Sequence, residues 1–352
     1  MKRLLRRSLL LIGLAALLSG CSVTYVAQSL KGHAEIMAAR RDVGRVIGDP
    51  ATPEAVRERV AAARAIRQFA SDALALPDNE SYRSYVDIGR DFVTWAVYAA
   101  PEFSLAPKLW CFPVFGCVPY RGYFSRDGAV GNALELQRQG LDVHVAGVTA
   151  YSTLGWTADP LLSTMLRRED ADLASLVFHE LAHQRVYVND DTAFNEAFAV
   201  AVEVTGVRKW LRAAGDAEGS RRYEAGLKRS DDFVALVART REELGQAYAG
   251  AGSAAEKRKA KAAAIERLRA RYRQMRDGSW GGYSGYDGWI ESPINNAKIA
   301  ATSVYNGLVP GFLRLFELCA QDYPRFYAAV GRLGRLARAE RAEALKAART
   351  CE

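Results

Sequence analysis

Histidine is scarce in this chain: 352 residues hold four, His33, His144, His179 and His183, and none follows His183. Any metal site that draws on the second half must therefore use carboxylates, and any proton donor there must be a tyrosine, carboxyl or cation. Long apolar runs are missing too. The apolar run near the start, Ser8 to Leu18, would reach only about 16 Å as a helix, about half a bilayer core, which excludes a polytopic membrane protein. No CxxC pair occurs, so nothing points to a redox centre or a zinc ribbon. Internal repeats and Ser/Pro linkers are absent, which leaves no solenoid and no firm domain boundary. With 49% hydrophobic and 25% charged residues, 29 Gly and 11 Pro, the chain is neither collagen-like nor disordered. Strong charge is lacking as well. The formal +8 includes Lys2, Arg3, Arg6 and Arg7, and without them the balance is 44 basic against 40 acidic residues. That small excess carries no nucleic-acid signal.

What the first residues do have is the form of a secretory signal: a basic Met1–Arg7 followed by the apolar run. Leu18-Ser19-Gly20-Cys21 resembles the bacterial lipobox. That resemblance implies cleavage after residue 20 and lipidation of Cys21, with an ordinary signal peptide as the alternative reading. Ser22, rather than Asp, after the cysteine points to the outer membrane, with the protein facing the periplasm. Several acyl chains anchor far more firmly than one. In that compartment the other cysteines can oxidise. Four cysteines allow three pairings; proximity favours Cys111 with Cys117 and Cys319 with Cys351, and free buried thiols remain the alternative.

Thr52-Pro53-Glu54 reads as a helix start, with apolar positions recurring at helical spacing as far as Leu74. Phe92–Tyr98, Val118–Tyr123 and Leu141–Ser152 read as strands, with a short helix over Asp127–Gln139 between them. From Asp170 onward the pattern is helical. The class expected is α+β: an N-terminal helical hairpin, a small mixed sheet, then a mainly helical C-terminal half. Glu256–Arg276 carries nine basic and two acidic residues. It reads as a solvated helix with a basic face, or alternatively as a contact for anionic lipid headgroups.

The chemistry concentrates in His179-Glu180-Leu181-Ala182-His183. Residues four apart on a helix share a face, so both imidazoles can reach one Zn²⁺. Glu180 lies about 100° further round, where it can act on a water rather than on the metal. Asp170 is placed to cap this helix, and Leu173, Leu176, Val177 and Leu181 give it an apolar stripe. Arg185 stands where zinc helices prefer an apolar residue. The third ligand must be a carboxylate, and two candidates follow: Glu196, with twelve residues between it and His183, and Glu203, with nineteen. Asp190-Asp191-Thr192 can cap the helix that carries both.

His179-Glu-Leu-Ala-His-Gln184, followed by Asn195-Glu-Ala-Phe-Ala199 and Glu203, resembles the gluzincin peptidases, and most closely the aminopeptidase-N-like enzymes. The resemblance implies Glu196 as third ligand, Glu180 as general base, and Glu203 as a carboxylate steadying a ligand histidine, although spacing alone favours Glu203 as the ligand. Cys111–Tyr123, Gly147–Gly155 and Asn295-Asn-Ala297 extend a resemblance to bacterial lipoproteins described as zinc aminopeptidases. The signal pattern makes residues 1–20 the lipoprotein signal peptide, and the helical spacing makes 21–90 an N-terminal helical region. Residues 91–352 are then a zincin-like catalytic region, with its sheet in 91–155 and its helices in 156–352.

Zincins hold a peptide along a sheet edge, and Val145–Ser152 is the candidate strand, with plain sheet core as the alternative. His144 and His33 read as structural. Among Tyr283, Tyr286 and Tyr305, Tyr286 is the favoured oxyanion donor. No GAMEN-like segment is present to bind a free amine. The expected function is a membrane-anchored, zinc-dependent peptidase acting on peptide substrates, an aminopeptidase by resemblance. The alternatives are a non-catalytic envelope lipoprotein with a structural zinc site and a zinc hydrolase of cell-wall peptides.

Overall fold

The computed structural model describes residues 23–112, 116–189, 191–302 and 307–352, so Cys21, Asp190 and Tyr305 lie outside the described residues. Strands are short and helices dominate. In chain order they are α1 (Val23–Ala38), β1 (Arg41–Asp42), α2 (Val43–Gly48), α3 (Glu54–Leu74), β2 (Ser84–Val86), β3 (Thr94–Pro101), β4 (Trp110–Phe112), β5 (Gly116–Val118), β6 (Arg121–Tyr123), α4 (Arg126–Arg138), β7 (Leu141–Val148) and β8 (Leu161–Leu162). There follow α5 (Asp170–Arg185), α6 (Thr192–Ala213), α7 (Ala217–Ala249), α8 (Ala254–Asp277), α9 (Asp287–Glu291), α10 (Asn296–Thr302), α11 (Val309–Leu318), α12 (Tyr323–Gly334) and α13 (Arg338–Ala347). No described helix is long and apolar enough to cross a membrane.

Side-chain caps set many of the starts. Ser125 accepts from Gly128 N–H, Asp191 from Phe194, Asp216 from Gly219 and Asp322 from Arg325, while Ser253 and Glu256 form a reciprocal box. Each satisfies amides that the first helical turn leaves open. The helix α5 departs from its expected cap: Glu169 occupies the cap position without a side-chain bond, and Asp170, in the first turn, pairs with Arg59 of α3 instead.

The class is α+β and mainly helical, as expected, but the strands form three small sheets rather than one. The first, β1–β2–β8, is mixed; β6–β3–β7 is antiparallel; β4–β5 is a hairpin. The Cys111–Cys117 disulfide joins β4 to β5, and Cys319–Cys351 ties the C-terminus to the end of α11. The expected N-terminal helical hairpin does not form. Helix α1 packs on β6, where Gln28 bonds Gly122 O and Phe124 N, whereas α3 packs on α5. The reason is that the apolar face of α3 belongs to the main core, which draws residues from Ile36 to Cys351 and encloses α5, α6, α11 and α12.

A second core joins α7, α8, α9 and α10, and a third lies between α4 and one face of the β6–β3–β7 sheet. The basic face of α8 is largely neutralised from within: Arg258 meets Glu102, Lys261 meets Asp142, and Arg267 and Arg271 share Glu243.

Candidate metal centre

Helices α5 and α6 lie against each other over most of their length because both are small or apolar where they meet. Ala174, Val177, Phe178, Leu181 and Ala182 of α5 are fully buried, as are Ala197, Phe198, Ala199, Ala201 and Val202 of α6. Gly206 lets the two close up, since a Cβ there would sit 2.8 Å from Leu74 Cδ1 and 2.9 Å from Phe178 Cδ2. The loop between the helices is pinned by Asn195. Its side chain, 2% exposed, accepts from Val188 N–H at 2.8 Å and donates to Val188 C=O at 2.7 Å. Asp191 holds the next turn and pairs at 2.8 Å with Arg341 of α13. These contacts fix where Glu196 enters.

They bring Glu196 to the histidines. Nε2 of His179 lies 3.2 Å from Nε2 of His183 and 3.2 Å from Glu196 Oε2, and His183 Nε2 lies 3.6 Å from Glu196 Oε1. Glu203 is on the other side of the ring, its Oε2 at 3.0 Å from His179 Nδ1. A carboxylate there selects the Nδ1–H tautomer and leaves Nε2 with a free lone pair. His183 has no such partner: its buried Nδ1 makes no hydrogen bond among the described residues. Two imidazoles and one carboxylate within 4.8 Å of one another could hold a metal ion. The chemistry of the set fits zinc. Donors about 2.0–2.1 Å from a tetrahedral ion stand about 3.3 Å apart, close to the separations seen, and three protein ligands leave one position open.

The electrostatics follow from crowding. Burial, and then repulsion from His179, push His183 down to about 4, so its ring is a neutral donor at physiological pH. Burial opposes protonation of His179, but its hydrogen bonds to Glu196 and Glu203 outweigh that and raise it. Burial raises Glu180 to about 7, with His179 opposing and Glu196 adding to the rise. Arg185, at the position where an apolar residue is usual, is exposed at the end of α5 and lies over the Tyr327 ring. The helix has left the core by then.

Glu180 and Gln184 share the face of α5 that meets two loops. Asn79 Nδ2 donates to Gln184 Oε1 at 2.7 Å, Gln184 Nε2 reaches Ser81 Oγ at 3.3 Å, and Gly155 rests on the Gln184 side chain. On another side, an open cleft of about 1030 Å³ runs between α5 and α7, with His179, Glu180 and Glu203 at one end and Asp172, Arg222 and Tyr283 along it.

The structure does not bring Tyr286 to this group. Its ring lies flat on Phe233 at 4.2 Å and against Trp280, inside the second core, because an aromatic-rich turn finds its burial there. Tyr120, in the turn between β5 and β6, packs on Tyr98 of β3. Burial, then Tyr98, then the carboxylates of Glu196 and Glu180 push its hydroxyl upward. The signal for Tyr120 was present in the Cys111–Tyr123 segment, but nothing in the spacing distinguished it from other tyrosines. His144 of β7 stacks on Tyr98, and His33 bonds the Tyr151 hydroxyl at 2.8 Å.

Strand β7 lies at the edge of its sheet and ends at Val148, four residues short of the expected Ser152. Val143 C=O points to the open side, where Asn295 Nδ2 donates to it at 2.8 Å. By the alternation of an antiparallel strand, Val145 and Gly147 also point their amides and carbonyls that way.

Among the described residues, then, a mainly helical α+β protein carries one histidine–histidine–glutamate group of metal-binding geometry. Residues 24–345 match the family described as putative aminopeptidase, and the chain belongs to that family. Searches of curated proteins and of solved structures returned no match.

Proposed function

We propose that the protein is a zinc-dependent peptidase, an aminopeptidase by family, held in a bacterial envelope through a lipid on Cys21. The observation that carries the reading is the convergence of the His179 and His183 Nε2 atoms with the Glu196 carboxylate, backed by Glu203 on the far nitrogen of His179. His179, His183 and Glu196 would hold zinc. Bound there, zinc supplies Lewis-acid polarisation of a carbonyl and a water acidic near neutral pH.

Glu180, beside the ligands on the same helix, takes the proton from the attacking water and delivers it to the departing amine. Tyr120, whose hydroxyl is pushed upward by burial, by Tyr98 and by the Glu196 and Glu180 carboxylates, is a better candidate donor for the developing oxyanion than Tyr286, which is packed in the second core. The open edge of β7 at Val145 and Gly147 offers a peptide backbone the hydrogen bonds of an added strand.

The test is metal content and hydrolysis of an unblocked peptide library by the chain from Ser22, wild type and variants. About one zinc per chain is expected, lost in Glu196→Ala and weakened by about 10–100-fold in Glu203→Ala, as for a residue orienting a ligand. Glu180→Gln should keep the zinc and lose about 10²–10⁴-fold of the activity. A wild type that takes up no zinc, or a Glu180→Gln variant with full activity, overturns the assignment.

A further inference from the structure

Four arginines line the cleft between α5 and α7, and three of them have partners. Arg59 pairs with Asp170 of α5, Arg168 donates to Thr149 Oγ1 at 2.9 Å, and Arg222 meets Glu218 at 3.6 Å on its own helix. Arg229 of α7 makes no hydrogen bond or ion pair among the described residues. The one acid a helical turn away, Asp232, is occupied by Lys228 at 2.8 Å and by Trp280 Nε1 at 3.1 Å. Ala225, Gly226 and Phe233 hold the other neighbouring positions, so α7 offers this cation no partner of its own.

The group is nonetheless held still. Its guanidinium lies 4.1 Å from the centre of the Tyr283 ring, and its Nε is enclosed, while the Nη groups stay open to the cleft. Stacking pre-sets the plane of the fork, and enclosure on one side strips the charge of part of its water. Nη2 lies 4.0 Å from where a Cβ on Gly226 would stand, so the side chain runs back along α7. Tyr283 is presented by Gly281 and Gly282, at φ +59° and +87°, a turn that glycine takes without strain. Its hydroxyl lies over Gly285, where a Cβ would sit 2.3 Å away.

The register of the helices puts this fork opposite the metal group. Arg208 of α6 pairs with Glu224 of α7 at 2.6 Å, and the turn 214–216 reverses the chain between them. Arg229, further along α7, therefore comes level with Glu203, further back on α6, whose carboxylate holds His179. The facing wall carries Glu169, Asp172, Glu180 and Glu203, so an anion entering the cleft is repelled from α5 and drawn to α7. Resting on the peptidase reading above, we propose that Arg229, stacked on Tyr283, is a substrate-binding subsite for a carboxylate of the peptide. The two Nη groups donate to its oxygens, and the enzyme thereby favours peptides that bring a carboxylate, terminal or side-chain, into the cleft.

The experiment uses the zinc-loaded chain from Ser22, which keeps every described residue. The probes are a short unblocked alanine peptide with a free C-terminal carboxylate, the same peptide amidated, and the amidated peptide carrying one glutamate. Binding is measured by calorimetry in the Glu180→Gln background, and kcat and KM in the wild type. The free acid, the glutamate peptide or both should bind about 10–100-fold more tightly than the neutral amide, and which of them does so identifies the source of the carboxylate. Arg229→Met, which keeps an unbranched stem on Tyr283, should erase that preference and leave zinc content, Tm and affinity for the amide unchanged. Arg229→Glu should invert it. In the wild type the preference should fall in KM, with kcat unchanged. Equal affinity for all three peptides, or a preference that survives Arg229→Met, overturns the proposal. A preference that depends on Arg229, in a wild type that cleaves none of the three, leaves the subsite standing and removes the peptidase reading instead.

Discussion

A single side chain decides where Glu196 stands. Asn195 binds both polar atoms of Val188 and so sets the loop from which α6 departs. Replacing it by leucine leaves a buried N–H and a buried C=O without partners, each costing about 1–3 kcal/mol. Asn195→Leu is therefore expected to lower the unfolding free energy by about 2–6 kcal/mol and to weaken zinc binding, although residue 195 touches no metal. Denaturant titration and metal competition check the two effects separately.

His144 makes a pH prediction at the same scale. Burial, and then the charge of Lys298 beside it, push its imidazole down to about 4 while it stacks on Tyr98. In the unfolded chain it titrates near about 6.5. The unfolded state thus takes the proton first, and stability that is intact above about pH 6.5 is lost as the pH falls towards about 4. Melting curves should show a steeper acid decline for the wild type than for His144→Gln across that window; equal slopes would remove His144 as the cause.

At the scale of elements, the α5–α6 contact matters most, since it carries every residue of the metal group. Gly206 is where it is tightest, with core atoms of α3 and α5 at 2.8 Å and 2.9 Å from any added Cβ. Alanine gains about 1 kcal/mol of helix propensity over glycine, while overpacking costs about 1–3 kcal/mol. Gly206→Ala should therefore come out net destabilising, by up to about 2 kcal/mol, and should spread the histidines from Glu196. A variant more stable than wild type would mean that Leu74 and Phe178 can give way. The sheet edge is an element-scale feature as well. Alternation in Leu141–Ser152 announced a strand, but that β7 stands at an edge follows only from its pairing with β3 alone. Beyond Val148 the chain turns to other partners: Thr149 C=O accepts from Thr164 Oγ1, and Ser152 Oγ donates to Asp159.

Across the whole molecule, the main core spans almost the full described chain, from Ile36 to Cys351. The Cys319–Cys351 bond, 32 residues apart, fastens the last helices to it. Closing a loop of that size stabilises by about 3–4 kcal/mol on the chain-entropy account. The double variant Cys319→Ser with Cys351→Ser should lose about that much in a chemical denaturation, and dithiothreitol should do the same to the wild type. Because α13 supplies Arg341 to the Asp191 cap of α6, the loss should extend to zinc affinity. A destabilised chain that kept its zinc affinity would show that α13 is not needed to seat α6.

The sequence by itself determined the helix of His179 and His183, the existence of α6 and both its carboxylates, and the mainly helical α+β class. Those features are local: a four-residue spacing, a cap three residues ahead, an apolar stripe. It offered two third ligands, Glu196 by motif and Glu203 by spacing. Only the tertiary structure placed Glu196 beside both Nε2 atoms and Glu203 beside Nδ1, because that depends on how far the Asn195-pinned loop rotates one helix against the other. The tyrosines were illegible for the same reason. Tyr286 sits in a conspicuous aromatic run yet is spent in the second core, whereas Tyr120 packs on Tyr98 from a turn with no periodicity to read. Periodic residues declare their surroundings through their neighbours in sequence; a turn residue's surroundings exist only once distant segments have packed around it.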